Sequence, residues 1–520
     1  MNRESSKKIL SEKKKIYFYR NITSFLLQTL FLGLTYIPEL AINYFFKDEL
    51  KVEPSQLTRL LTISRIPWVI KPVFGIITDF YPIFGYKRKY YLLFCGIIFC
   101  VVWLILGFLK INSFLTVICL FISNLTCCFS TVLSQATMIE IGSKMDKNED
   151  EEIKEEKNQT NILITYNTII SNFGILIGSY LKGELIQKYN IRIVFIITSC
   201  LGLLPIISAI ILKEIRYDKK NNVKDSNSFT SSFLSTSTDE DDSLIGYICQ
   251  KKVLIPLILF LIVTTIPGTY DPFFYYETDY LKFKPVDFSI ITIINQIIAL
   301  FFIYNYDKLQ CISTKYLFFL IRFISTSSGF ILYSVYNGYY KKFNIEPFYI
   351  ILFVTTIQYS FSQIYNMIIY KLSAKLSIKR FEGTVFSTFT ATMNFGNIMG
   401  QFYGSILTDF IGITRKDFSN FGKFIIIANI LSVFPTLFIL LTPSFYFNPK
   451  NIKDEIIFDG TELNDKEFEE KIEINDEKKE KKEKEKKEKE LKELDMEKLP
   501  SYGVKAYSEV KNKMLITQNK

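Results

Sequence analysis

Residues Ile66–Leu92, IPWVIKPVFGIITDFYPIFGYKRKYYL, decide how the rest of the chain is read. The stretch starts as an apolar helix, yet Arg65 stands just before it and Lys71 lies inside it. Asp79 closes the helix, Pro82 and Gly85 make a turn, and Lys87-Arg88-Lys89 lead into a new apolar run at Tyr90. A charge within a helix of bilayer length is costly, so it is usually kept for a pathway or a partner. The basic turn between two apolar runs reads as a loop on the cytoplasmic face.

The same alternation extends outward. Of 520 residues, 49% are hydrophobic and 16% aromatic. The apolar residues come in runs of about 20, the length needed to cross a bilayer. Hydropathy predicts about twelve spans, near 22–45, 57–80, 90–109, 113–139, 160–187, 191–212, 253–276, 285–304, 315–337, 347–375, 382–410 and 421–443. The fold class is therefore an all-α membrane protein. The net charge of +10 is carried by loops and ends and is not a nucleic-acid footprint.

An even number of spans puts both termini on one side. Arg3, Lys7, Lys8, Lys13, Lys14, Lys15 and Arg20, with basic clusters at 87–89, 213–224 and 371–380, make that side cytoplasmic. Lys341-Lys342 and Arg415-Lys416 are minor exceptions on the opposite face. The organisation expected is a basic N-terminus (1–21), a six-helix bundle (22–212), a Ser-rich disordered linker (213–250), a second six-helix bundle (251–444) and a disordered Lys/Glu-rich tail (445–520). No cleaved signal peptide is visible in residues 1–20, which lack an apolar core.

Two internal echoes point to duplicated halves. Asn172-Phe173-Gly174-x-x-x-Gly178 in span 5 matches Asn394-Phe395-Gly396-x-x-x-Gly400-x-x-x-Gly404 in span 11. Leu50-Lys51-Val52-Glu53-Pro54 after span 1 matches Leu281-Lys282-Phe283-Lys284-Pro285 after span 7. Each joins span n to span n+6, the register of two six-helix halves related by an axis along the membrane normal.

Six residues of helix separate Arg65 from Lys71 by roughly 9 Å along the axis. Either cation can face a central cavity and attract an anionic ligand, or neutralise a structural acid such as Glu39. Pro67 and Pro72 interrupt backbone bonding, which is tolerated where the chain packs in protein or lines a cavity. Trp68 offers a flat surface for a heterocycle, or simply packs in the core. Glu39 after Pro38 and Asp271 before Pro272 occupy matching places in the two halves. Each is a candidate for proton coupling or for an outer gate.

The chain has no histidine, which removes His-based acid–base and proton-relay chemistry. Its eight cysteines show no CxxC spacing and read as small buried hydrophobes. Neither a Walker A motif nor a recognisable catalytic set is present, so an enzyme is not expected and no cofactor or metal is implied.

The stretch 66–92 resembles the hallmark segment of the folate–biopterin transporter family, within the major facilitator superfamily. Ile42–Pro54 (INYFFKDELKVEP), Phe381–Phe386 (FEGTVF) and Asn394-Phe395-Gly396 extend the likeness across the membrane portion. The resemblance implies a twelve-helix secondary transporter of folate, pterin or a related organic anion, working by alternating access, with protons as a candidate coupling ion. A carrier of another small solute and a non-transporting receptor or scaffold are the alternatives. It implies a cytoplasmic gate at Gly75, Asp79, Gly85, Lys87, Arg88 and Lys89, and adds Gln135 and Asn394 to Lys71, Arg65 and Trp68 as substrate-binding candidates. Gln135 and Thr131 stand where many relatives have acids, while Glu140 remains. That departure weakens the case for proton coupling through span 4. A monomer is expected, in the plasma membrane rather than an internal one.

Overall fold

The computed structural model describes residues 3–146, 159–214, 216, 244–305, 313–376 and 382–447. The Ser-rich stretch 217–243 and the charged tail beyond 447 lie outside these residues. Among the described residues the helices group into twelve spans. Eight segments, in spans 1, 3, 4, 5, 6, 8, 9 and 12, are both long and apolar enough to cross a membrane. The other four are the informative ones. Spans 2 and 7 are broken into short helices, and spans 10 (Pro347–Leu376) and 11 (Glu382–Ile411) are rich in Ser, Thr, Asn, Gln and Tyr.

Span 2 consists of Pro54–Ser64, a single turn Ile66–Trp68 and Lys71–Phe80. Span 7 runs Lys251–Thr264, then irregular chain, then Tyr270–Tyr275. Hydropathy does not anticipate the second break, since it reads 253–276 as one helix. Its cause is local: Pro267 has no N–H to donate to Val263 and ends the helix there. A short helix Leu244–Cys249 also precedes span 7, inside the segment expected to be linker.

The halves repeat each other down to backbone detail. Span 1 ends in the π-helical turn Phe45–Glu49 and span 7 in the π-helical turn Tyr276–Tyr280. Leu50 N–H then bonds Phe45 O at 3.1 Å, and Leu281 N–H bonds Tyr276 O at 3.0 Å. Lys51 follows at φ 53° and Lys282 at φ 62°, both left-handed, before Pro54 and Pro285 open the next helices. A non-glycine residue there costs roughly 1–2 kcal/mol, yet both halves keep it.

The glycine echo is equally literal. In span 5 a methyl group on Gly174 would lie 2.9 Å from the Gly33 Cα of span 1. In span 11 the Gly400 carbonyl accepts the Gly268 N–H of span 7 at 2.9 Å, and Gly404 abuts Gly268. Small residues let these backbones touch where lipid provides no hydrophobic drive for helix association. Spans 2 and 11, and spans 5 and 8, pack together and join the two halves.

Candidate functional site

The break in span 2 leaves carbonyls that its own helix cannot use. Pro72 has no N–H for the Trp68 carbonyl, and Asn394 Nδ2 of span 11 donates to it from the other half at 3.1 Å. The Pro67 carbonyl takes the Cys128 thiol of span 4 at 3.4 Å. One turn away on the same helix, Asn124 accepts the Trp68 indole N–H at 3.0 Å. Trp68 packs beside the N-terminal core, so its ring is positioned by span 4 while its carbonyl is read by span 11.

Lys71 begins the helix after this break. It is 4% exposed and lies on the face turned toward span 4, where its ammonium is felt by Cys128. No acid forms an ion pair with it among the described residues. The acid suggested for it, Glu39, instead pairs with Lys182 of span 5 at 3.9 Å. Lys182 is itself buried, and the sequence reading omits it although it carries the same signal, a cation within an apolar span.

Arg65 has a different outlook. It lies exposed between the halves, close enough to Asp271 and Tyr270 of span 7 and Tyr36 of span 1 to interact electrostatically. Asp271 is buried, with the Thr58 hydroxyl against its carboxylate and Glu39 nearby. Tyr36 and Tyr270 remain 38% and 49% exposed, and both lie near Glu39 and Arg65. Groups from both halves are therefore electrostatic neighbours here. Tyr359 of span 10 joins them, near Tyr36 and Glu39 and against the Gln296 amide of span 8. Gln296 Nε2 in turn donates to Asn172 Oδ1 of span 5 at 2.5 Å.

Asn172 and Asn394, matched in the sequence echo, thus perform matched tasks. Each reaches across to the other half, one to span 8 and one to span 2, which are themselves equivalent. Gln135 is half-buried on span 4 and makes no hydrogen bond among the described residues. The Glu140 and Asp79 side chains lie outside the described residues.

At the other end of span 2, Gly85 takes φ 82°, a turn conformation that glycine adopts without strain. The basic turn is organised by an acid that the sequence reading passes over. Glu214, just after span 6, accepts the backbone N–H groups of Lys87, Arg88 and Lys89 at 3.0, 3.1 and 3.2 Å. It caps span 3, where a carboxylate satisfies the free donors and the helix dipole together. Gly75 faces span 4 with only Val132 nearby, at ordinary contact distance.

A model of the BT1 family matches residues 32–463, most of the chain. The chain belongs to the BT1 family. It is 24% identical over 421 residues to the Folate-biopterin transporter of Synechocystis sp., covering 79% of each. It is 27% identical over 428 residues to Folate transporter 1 of Plasmodium falciparum, covering 81% of this chain and 79% of that one. Among solved structures, the nucleoside transporter NupG superposes with a TM-score of 0.56 at 15% identity, over 84% of this chain and 100% of that one. The fold of this BT1 protein is accordingly the major facilitator fold, a multi-pass membrane transporter in two six-helix halves.

Proposed function

We propose that this BT1 protein carries folate, a pterin or a related organic anion by alternating access, with the halves rocking about the space between spans 1, 2, 7 and 10. The observation that carries this reading is that Arg65, Asp271, Glu39, Tyr36, Tyr270 and Tyr359, from both halves, are electrostatic neighbours, with Arg65, Tyr36 and Tyr270 exposed. Aromatic faces suit a flat heterocycle, and fixed charges suit its polar edge or a carboxylate. Relatives named as folate and folate–biopterin transporters supply the substrate class.

In this reading Lys71, buried beside the span 2 break with no acid paired to it among the described residues, supplies positive charge that a bound anion would offset. Arg65, Trp68, Gln135 and Asn394 complete the binding candidates. Glu39 and Asp271 are the proton-coupling or gate candidates, each now with a cation for company: Lys182 for Glu39 and Arg65 for Asp271. Gly75, Asp79, Gly85 and Lys87–Lys89 form the cytoplasmic gate, with both termini on that face, and the protein acts as a monomer in the plasma membrane.

The test is uptake of radiolabelled folate into proteoliposomes, with and without an imposed pH gradient, beside nucleosides, sugars and amino acids. Folate or pterin flux that the others do not match supports the reading. Flux of a different solute class, or none, overturns it.

A further inference from the structure

The two matched π-helical turns do more than end their spans: they grip each other. Lys47, in the turn Phe45–Glu49, is 5% exposed. Its Nζ lies 2.5 Å from Asp279 Oδ1 and donates to Thr278 Oγ1 at 2.7 Å, both in the turn Tyr276–Tyr280 of the other half. The rings of Tyr44, Phe274 and Tyr275 surround the ammonium at 5.8, 5.8 and 5.9 Å. Beside it the Tyr275 hydroxyl donates to Val52 O at 2.6 Å, the Arg415 N–H donates to Glu53 at 2.9 Å, and Arg59 pairs with Asp409. Apart from the Tyr44 ring, which belongs to the same half as Lys47, these contacts join opposite halves at the membrane face opposite the N-terminus. A π turn widens a helix and commonly marks a functional position. Here two of them, at equivalent places, form one closure.

A second acid completes the device. Asp48 belongs to the same half as Lys47, and its Oδ1 stands 4.0 Å from Nζ, farther than Asp279. We propose that the Lys47–Asp279 contact is the clasp that holds this face shut, and that Lys47 is handed to Asp48 when it opens. The proposal rests on the alternating-access reading but not on the substrate's identity. Opening separates Lys47 from Asp279, Thr278, Phe274 and Tyr275, and leaves it Tyr44 and Asp48. Stripping a buried cation of every partner is strongly unfavourable, so a waiting acid in its own half lowers the cost of the open state. The two aspartates therefore act on one lysine with opposite effect. Asp279 favours the closed arrangement and Asp48 the open one.

The experiment measures distances between spin labels at Lys110→Cys and Lys342→Cys, exposed positions in loops of the two halves on the clasp face. It uses the full chain in lipid nanodiscs, with Cys200, Cys249 and Cys311 replaced by Ala. Arg59→Met removes the neighbouring ion pair and brings the open population into range. In that background Asp279→Asn is expected to raise the ratio of long to short distances about tenfold, and Asp48→Asn to lower it several-fold. Lys47→Met should raise the ratio and also cancel the effect of Asp48→Asn, which excludes a merely local loss of folding. Both aspartate changes moving the ratio in the same direction, or an Asp48→Asn effect that persists without Lys47, would overturn the clasp. No folate is needed, so a failure to transport folate leaves the result interpretable.

Discussion

Spans 2 and 7 are both broken by proline, and they mend the damage differently. In span 2, Pro72 frees the Trp68 carbonyl, and the group that satisfies it, Asn394, comes from the opposite half. In span 7, Pro267 frees the Val263 carbonyl, and Arg322 Nη2 of span 9 donates to it at 2.9 Å from within the same half. Arg322 is buried, with its guanidinium 4.9 Å from the Tyr365 ring centroid. The break in span 7 is thus tied inside its own bundle and moves with it. The break in span 2 is tied across the interface, where relative motion of the halves must be felt. One helix interruption serves the fold, and the other is placed to serve movement.

Four outcomes would break or sharpen that contrast. Lys71→Ala, at the edge of the interfacial break, should abolish folate uptake in proteoliposomes while the protein still elutes as a folded species. Lys71→Met should do the same with thermal stability unchanged or raised, because a buried cation with no acid partner among the described residues is replaced by an apolar side chain of similar length. Unchanged uptake would remove Lys71 from the mechanism. Next in size, Arg322→Ala should cost about 2–3 kcal/mol, since it leaves a buried carbonyl unsatisfied and strips Tyr365 of its cation. A melting temperature within error of the parent would show that span 7 does not depend on its cap.

Asn394→Ala should lower uptake several-fold with a stability loss of only about 1 kcal/mol. Restoring an N–H with Pro72→Ala lets the Trp68 carbonyl bond within its own helix, so in that background Asn394→Ala should no longer affect stability. Additive losses in the double variant would mean that the inter-half bond is not what Asn394 provides. The smallest effect belongs to Glu214→Gln. It keeps one accepting oxygen, turns the other into an NH2 group that cannot accept, and removes the charge at the span 3 N-terminus, for about 1 kcal/mol in thermal unfolding and little change in uptake.

The glycine-rich echo is legible because its chemistry is local. Gly174 and Gly404 are small wherever they pack, and repetition at equal spacing betrays a shared partner type. The breaks are half legible. Pro67 and Pro72 announce one, while Pro267 hides beneath continuous hydropathy. Lys71 stands out as a cation in an apolar run, yet its direction cannot be read from the run. The helix face shared with Ser64, Pro67 and Thr78 is the buried one against span 4, and Arg65 is the residue near the span 7 acid Asp271 and near Tyr36 and Tyr270. Lys182 and Arg322 carry the same signal as Lys71, a cation in an apolar run, but like Glu214 they gain their meaning only from a partner far along the chain. Glu214 meets backbone amides 125 to 127 residues away, and backbone amides carry no side-chain signature.

By itself the sequence determined the spans, their duplication and the break in span 2, since these follow from apolar length, small-residue spacing and the missing N–H of Pro67 and Pro72. Only the tertiary structure decided who answers whom. Lys182 rather than Lys71 takes Glu39, Asn394 rather than a neighbour takes the Trp68 carbonyl, and Lys47 takes Asp279. The physical reason is that hydrogen bonds and ion pairs act over about 3–4 Å, a distance set by how twelve helices pack and not by their order along the chain.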